Sequence, residues 1–456
     1  MTTLIPKFDL KDGGSTPTGA INRTIFEKLS DFISVKDFGA IGDGTTDDTT
    51  AINAAIAYAK ATSGIKAIQF PTANYLVSGK INIAGSFGNG IVIEGNDSKI
   101  TSNADNSVFY VNAKLPDAAP QYRINLLLKN FTIIGKGSAY TSSVGIEIVD
   151  AAAVKIENCN IQNCYVGIYG YGCLISSFTK IIAQSCYYGL RFEAHAGFAA
   201  PNDLHFEYCQ IYDNILAIRH VDFPNGAATY IGCEIEGNNQ TGTTTDTLRV
   251  TEFFNAGTVS LIGCHFEDNP GQYNIYYSSA NYNLGVIGCE IIPGDDCGTV
   301  LEINNTSGTA SLFVEGSRVT NNVGTAQINI GSTCSAVIVG NTSGFIVGTN
   351  VTRLGNGVYA SNSVWQELIG GLSGTTLIQG NRTSSYEIEP GANATQDLGT
   401  NSIRWNRVFS QSTVIKNGIT APSAISGNAI IYVDAADGSL KVVFGNGTVK
   451  TIATNP

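Results

Sequence analysis

A strand signature repeats through the middle of this chain. Ile156–Cys159–Ile161, Phe206–Cys209–Ile211, Ile231–Cys233–Ile235, Ile262–Cys264–Phe266 and Ile287–Cys289–Ile291 share one alternating pattern. Ile181 represents the missing coil between Cys159 and Cys209, because Cys164 aligns with Cys186. The ladder extends through Ser317 and Asn341, giving steps of 22, 28, 24, 31, 25, 28 and 24 residues. Such periods identify a solenoid. Each repeat is several short strands between Gly/Asn turns, with no room for a crossover helix, which favours a parallel β-helix. Period-two alternation turns each cysteine and the following β-branched residue inward, so equivalent residues stack about 4.8 Å apart. Asn163, Asn214, Asn238 and Asn269 recur near the next turn, where amides bond backbone.

The rest of the sequence narrows the class. A net charge of -11 disfavours nucleic-acid binding and adsorption to anionic membranes. Neither a secretory leader nor an apolar run of spanning length is present, so membrane insertion is not expected. Nine of the ten cysteines fall between Cys159 and Cys297 and the last is Cys334, with no CxxC pair. They read as buried free thiols rather than disulfides or a zinc cluster. No metal or cofactor is expected, and no phosphate loop, dinucleotide fingerprint or nucleophile elbow occurs.

Five segments follow. Residues 1–32 form a head or attachment segment, with a turn-like Asp12–Gly19 and a short amphipathic Ile21–Phe32. Residues 33–89 start the solenoid. Within them Thr49–Ala61 places Ile52, Ala55, Ile56 and Ala59 on one helical face, with Asp47 or Asp48 at its start as a cap. Short strands are expected at Ala67–Pro71, Tyr75–Val77 and Ile81–Ile83. Residues 90–350 are the body and 351–379 a transition. Residues 380–456 are a β-rich tail with strands at Ile430–Val433, Leu440–Phe444 and Val449–Ile452.

The outward positions carry the chemistry. Aligning Ile168, Leu190, Ile218, Leu248, Ile275 and Leu301 as inward residues turns Tyr169, Arg191, Arg219, Arg249, Tyr276 and Glu302 outward. Glu193, Asp222 and Glu252 are close enough to neutralise the arginines. Guanidinium forks bind carboxylates or hydroxyls and aromatic rings cover a pyranose, so this face suits a sugar chain. Glycoside cleavage needs two carboxylates, and Glu193, Asp222 and Glu252 offer pairs; His195 belongs to the substrate-binding face and is the more open candidate base for elimination from an acidic sugar. His220 reads as a core residue. A second patch aligns Glu234, His265 and Glu290, with Glu236 and Glu267 beside it as an alternative carboxylate pair.

The stretch Val35–Ile56, VKDFGAIGDGTTDDTTAINAAI, resembles the opening of the pectate-lyase superfamily domain of phage tailspikes and polysaccharide depolymerases. The tail resembles phage tail-fibre ends at Asp397–Leu398–Gly399 with Arg404–Trp405–Asn406, and at Gly438–Lys441 with Thr448–Lys450. The resemblance implies an all-β, right-handed, single-stranded parallel β-helix with an N-terminal capping helix and a small C-terminal trimerisation region. It further implies a homotrimer in a phage tail, attached to a tail or baseplate protein through the N-terminal segment. Such a rod recognises capsular or O-antigen polysaccharide at the host surface. Endo-acting hydrolysis is the first expectation; the alternatives are a lyase acting on an acidic glycan and a non-catalytic adhesion rod.

Overall fold

The computed structural model describes residues 31–320 except 63, 66, 86–89, 114–122, 240–248, 295–296 and 305–309, and residues 422–454 except 425 and 427, with isolated strands and single residues elsewhere. The chain divides into two compact units, residues 1–391 and 392–456.

In the first unit, one helix, α1 (Thr49–Ala61), buries Ile52, Ala55, Ile56 and Ala59, the face the spacing requires. Asp47 caps it, accepting hydrogen bonds from the Thr49 amide at 3.0 Å and hydroxyl at 2.6 Å. Asp48 makes no such cap. It turns back to accept the Ile41 and Gly42 amides, fixing the preceding loop instead. Short strands follow at Ala67–Gln69, Asn74–Val77 and Ile81–Ala84.

The body is a parallel β-helix, a single 27-stranded sheet wound into successive coils. Its register reproduces the ladder read from sequence. Asn160, Ile182, Gln210, Glu234, His265, Glu290 and Arg318 pair in turn. The residue before each is therefore the stack Cys159, Ile181, Cys209, Cys233, Cys264, Cys289 and Ser317, all buried. All ten cysteines are free thiols, and only Cys297 is not fully buried. Asn341 lies outside the described residues.

Inside, Phe178, Phe206 and Tyr230 stack face to face, with centroids 4.7 and 4.4 Å apart. His220 is fully buried among them and shares a 2.7 Å hydrogen bond with the Tyr230 hydroxyl. Beside this core runs an amide ladder in which Asn214 donates to Asn238 at 3.1 Å and Asn238 to Asn269 at 2.9 Å. Asn163 is not part of it. It sits one position early, exposed in left-handed conformation, and Cys164 and Cys186 hold the equivalent buried places.

The corners explain the glycines. Asn130, Asn158, Lys180, Tyr208, Gly232, Gly263, Gly288 and Gly316 occupy one corner on consecutive coils, with φ between 51° and 62°. Glycine meets that requirement without the Cβ clash other residues incur.

Among the described residues the last parallel rung is Ile346–Val347, and three antiparallel strands lie between Val358 and Asn381. In the second unit, the three expected strands are present as Ala429–Val433, Leu440–Phe444 and Val449–Ala453, and they pair antiparallel in sequence order. Lys441 sits 2.7 Å from both Asp434 and Asp437. The Asp397–Gly399 and Arg404–Asn406 motifs lie outside the described residues, as do most of residues 1–30, where Lys7–Phe8 pairs with Arg23–Thr24. Among the described residues no helix is long and apolar enough to cross a membrane.

Candidate functional site

One outward column organises the candidate site. Glu147, Tyr169, Arg191, Arg219, Glu252, Tyr276 and Glu302 pair successively in register. The expected column is thus correct except at one rung. Glu252 stands where Arg249 was expected, and buried Thr251 takes the inward place assigned to Leu248. Leu248 itself is outside the described residues. The apolar alternation around Val250 offered an inward frame three residues too early, because a buried threonine does not look like core.

Arg249 still reaches the face from the strand's first position, in register with Tyr273. Its guanidinium lies 3.6 Å from the Tyr276 ring centroid and pairs with Glu252. Arg219 donates to the other Glu252 oxygen at 2.9 Å. Burial opposes the Arg219 charge, but the Glu252 carboxylate outweighs it and raises the guanidinium further. Tyr188, at the strand start, places its ring 5.2 Å from Arg191 and 5.9 Å from Arg219.

Glu193 is the focus. It is 8% exposed and receives both Nε and Nη2 of Arg191, at 2.9 and 2.8 Å. The Tyr169 hydroxyl donates to it at 2.6 Å, and His195 Nε2 lies 2.9 Å away. Burial disfavours its charge; the Tyr169 and His195 hydrogen bonds and the Arg191 charge overcome this and hold its pKa below the ordinary value. Tyr169 moves the other way, raised by burial and by its carboxylate partner, so its hydroxyl keeps its proton. The same hydroxyl lies 2.7 Å from His195 Nε2, and the imidazole stacks on Tyr171 at 4.6 Å between centroids.

Three residues at this site were not singled out from sequence: Glu147, Tyr171 and Tyr188. Tyr171 donates to Glu147 at 3.2 Å, and Glu147 is also held by Lys80 at 3.1 Å and by the Ser107 hydroxyl. The signal was present. Val144–Gly145–Ile146 repeats as Val166–Gly167–Ile168 one 22-residue coil later, and the residues following are Glu147 and Tyr169.

Asp222 does not join the arginines. It sits exposed at a corner with φ of 59°, bonded to the Asn255 amide at 3.1 Å, because the left-handed turn directs it away from the strand face. Glu302 is half-buried on the rung beyond Tyr276. The second patch forms as aligned: Glu234, His265 and Glu290 share a row, and Glu236 pairs with Glu267. His265 bonds Glu267 at 3.0 Å and Arg318 pairs with Glu290.

The sequence profile described as "Rhamnogalacturonase A/epimerase, pectate lyase-like" matches residues 32–244. Those residues are a pectate-lyase-like domain. The domain takes in α1 and the coils bearing Glu147, Tyr169, Arg191, Glu193 and Arg219. Over 46 residues the chain is 52% identical to the tail spike protein of an Escherichia phage, a match covering 10% of this chain and only 6% of that protein. Among solved structures, ORF18 of Geobacillus virus E2 is similar in fold, with a TM-score of 0.60 and 19% identity over 94% of this chain and 88% of that one. The gp42 tailspike of Acinetobacter phage vb_AbaP_AS12 aligns with a TM-score of 0.49 and 14% identity, covering 85% of this chain and 88% of its own.

Proposed function

We propose that the chain is a tailspike subunit of a phage virion that binds a bacterial surface polysaccharide on the Tyr–Arg–Glu face and hydrolyses a glycosidic bond there. The observation carrying this reading is Glu193, an ionised carboxylate held among Tyr169, Arg191 and His195 on the outward face of the rod. In this role Glu193 is the base that activates water, and Glu147 is the second carboxylate, facing it across the Tyr169–Tyr171 pair. Their backbones lie about 12 Å apart by rung and strand spacing. Both side chains bend to the Tyr169–Tyr171 pair, towards the roughly 6.5–9.5 Å that leaves room for a water. Arg219 and Arg249 orient the sugar, with Tyr276 and Tyr188 as ring surfaces.

One contact favours a second reading. The 2.7 Å Tyr169–His195 hydrogen bond places a base and a proton donor together beside arginines, an arrangement suited to elimination from an acidic sugar. The Glu236–Glu267 pair is assigned to a solvated or subunit-contact face. Homotrimer formation and attachment through residues 1–32 belong to the same proposal.

Incubation with the surface polysaccharide of a susceptible bacterium tests the reading. New reducing ends without ultraviolet absorbance support hydrolysis, and unsaturated ends support elimination. Saturable binding with intact polymer would leave an adhesion rod and remove the cleavage assignment. Absence of binding would remove the whole reading.

A further inference from the structure

The outward column does not stop at Glu147. Glu147 pairs in register with Tyr110, and Tyr110 with Asn82, so the same face runs two rungs further, down to α1. There the helix and the first coils bound a recess of about 560 Å³. Ile56, Ala57 and Ala84 give it an apolar floor, Tyr110 an aromatic wall, and Lys60, Lys80 and Asn82 a polar rim. The small side chains at 57 and 84 leave the space open.

The recess is held in shape by hydrogen bonds that do not belong to the proton-moving cluster. Asn53 clamps α1 to the adjacent strand, accepting the Asn82 amide at 2.8 Å and donating to the Lys80 carbonyl at 2.9 Å. The Lys60 ammonium donates to the Ala84 carbonyl at 2.8 Å, which uses one of its three N–H groups. The Lys80 ammonium lies 4.2 Å from the Tyr110 ring centroid and also meets Glu147, joining the recess to the column.

We propose that this recess is a distal sugar-binding subsite for one pyranose residue of the same polysaccharide. An apolar floor, a ring wall and a few convergent donors are what a sugar with one apolar face and a hydroxyl rim requires. This rests on the glycan-binding reading and adds a direction to it: the polymer lies along the coil-stacking axis, with its far end at α1. Tyr110 and Arg191 are three rungs apart, about 14 Å by strand spacing. Only a fragment of several sugars therefore reaches both.

The test uses oligosaccharides from partial acid hydrolysis of the surface polysaccharide that the wild-type chain binds, separated by length. Calorimetric titration into the full chain is compared with Ala57→Trp, which fills the recess from an exposed helix position, and with Lys60→Gln. Wild-type affinity is expected to rise with fragment length. Both variants should bind the longest fragments about tenfold more weakly, a change of about 1.4 kcal/mol, and the shortest ones unchanged. Melting temperatures verify folding, and if Ala57→Trp melts early, Lys60→Gln carries the comparison. Affinity that ignores length, or variants that bind long fragments like wild type, would overturn the subsite while leaving the functional reading standing. A wild-type chain that binds no polysaccharide would overturn both.

Discussion

Replacing Glu193 with glutamine removes one charge and changes little else in shape. The carboxylate has four hydrogen-bonding partners, two Arg191 nitrogens, the Tyr169 hydroxyl and His195 Nε2, and a looser ion pair with Arg219 at 3.7 Å. An amide keeps one acceptor oxygen and presents an N–H2 group on the other side. If the oxygen stays with Tyr169 and His195, the amide nitrogen faces Arg191 Nε, donor against donor. At least one charge-assisted hydrogen bond is lost, worth about 1.5–3 kcal/mol. That cost falls on the melting temperature, whereas in kcat/KM the amide can no longer take a proton from water, so the expected loss there is about 100- to 10,000-fold. The acid response changes too. The pKa of Glu193 is depressed on folding, so its contribution is present above the unfolded carboxylate value and lost as pH falls through the lower folded value. Glu193→Gln should therefore lack that part of the acid limb. Reducing-end release at neutral pH and melting curves from neutral to acid pH measure both effects. A variant within threefold of wild-type turnover, with an unchanged acid limb, would refute the central role of Glu193.

Two further outcomes follow from the interior. Burial lowers the His220 pKa to about 3, so the imidazole is neutral in the core. Its contribution is present above the unfolded value near 6.5 and lost as pH falls towards 3, on the order of 4–5 kcal/mol at the end. A His220→Phe, Tyr230→Phe double variant should flatten the dependence of denaturant midpoint on pH between 7 and 4, and unchanged slopes would refute this. Gly257→Ala should cost about 3 kcal/mol or more, because a Cβ there would lie 1.8 Å from the Gly226 carbonyl oxygen, which is backbone and cannot swing away. Gly263→Ala meets nothing within 4 Å and has a φ of 59°, so it should lose only about 1–2 kcal/mol from left-handed strain. Equal melting temperatures for the two would contradict the close-approach argument.

The inward ladder was legible because it obeys one rule: a small or β-branched apolar residue at the same place on every coil. Cys159 through Ser317 can be counted without any structure. The outward face follows the same count only where the inward neighbour is apolar. At Thr251 that condition fails, and the frame slips by three residues onto Arg249. Asp222 failed for another reason, since proximity in sequence to Arg219 says nothing about a left-handed corner that turns the side chain off the strand face. Glu147 is harder to read although its coil repeats the Val–Gly–Ile signature, because an acid one coil before a Tyr/Arg column resembles an ordinary solvated strand position. The pairing of Glu193 with Arg191 was readable, since residues two apart on a strand share a face. Its contact with Tyr169 was not, because that depends on how far two long side chains lean across a rung.

The coil step varies from 22 to 31 residues, yet the strands on either side of each corner keep their partners. Between Glu193 and Asn202 the extra residues leave the rod as a loop carrying His195 and Phe198. Phe192 still pairs with His220, and Leu204 with Ala228. Frame and ornament are thus structurally separable. A corner segment can be lengthened, shortened or exchanged while the stacked interior registers no change. A rod built this way can acquire a new vocabulary for its ligand one loop at a time, without refolding the sentence that holds it.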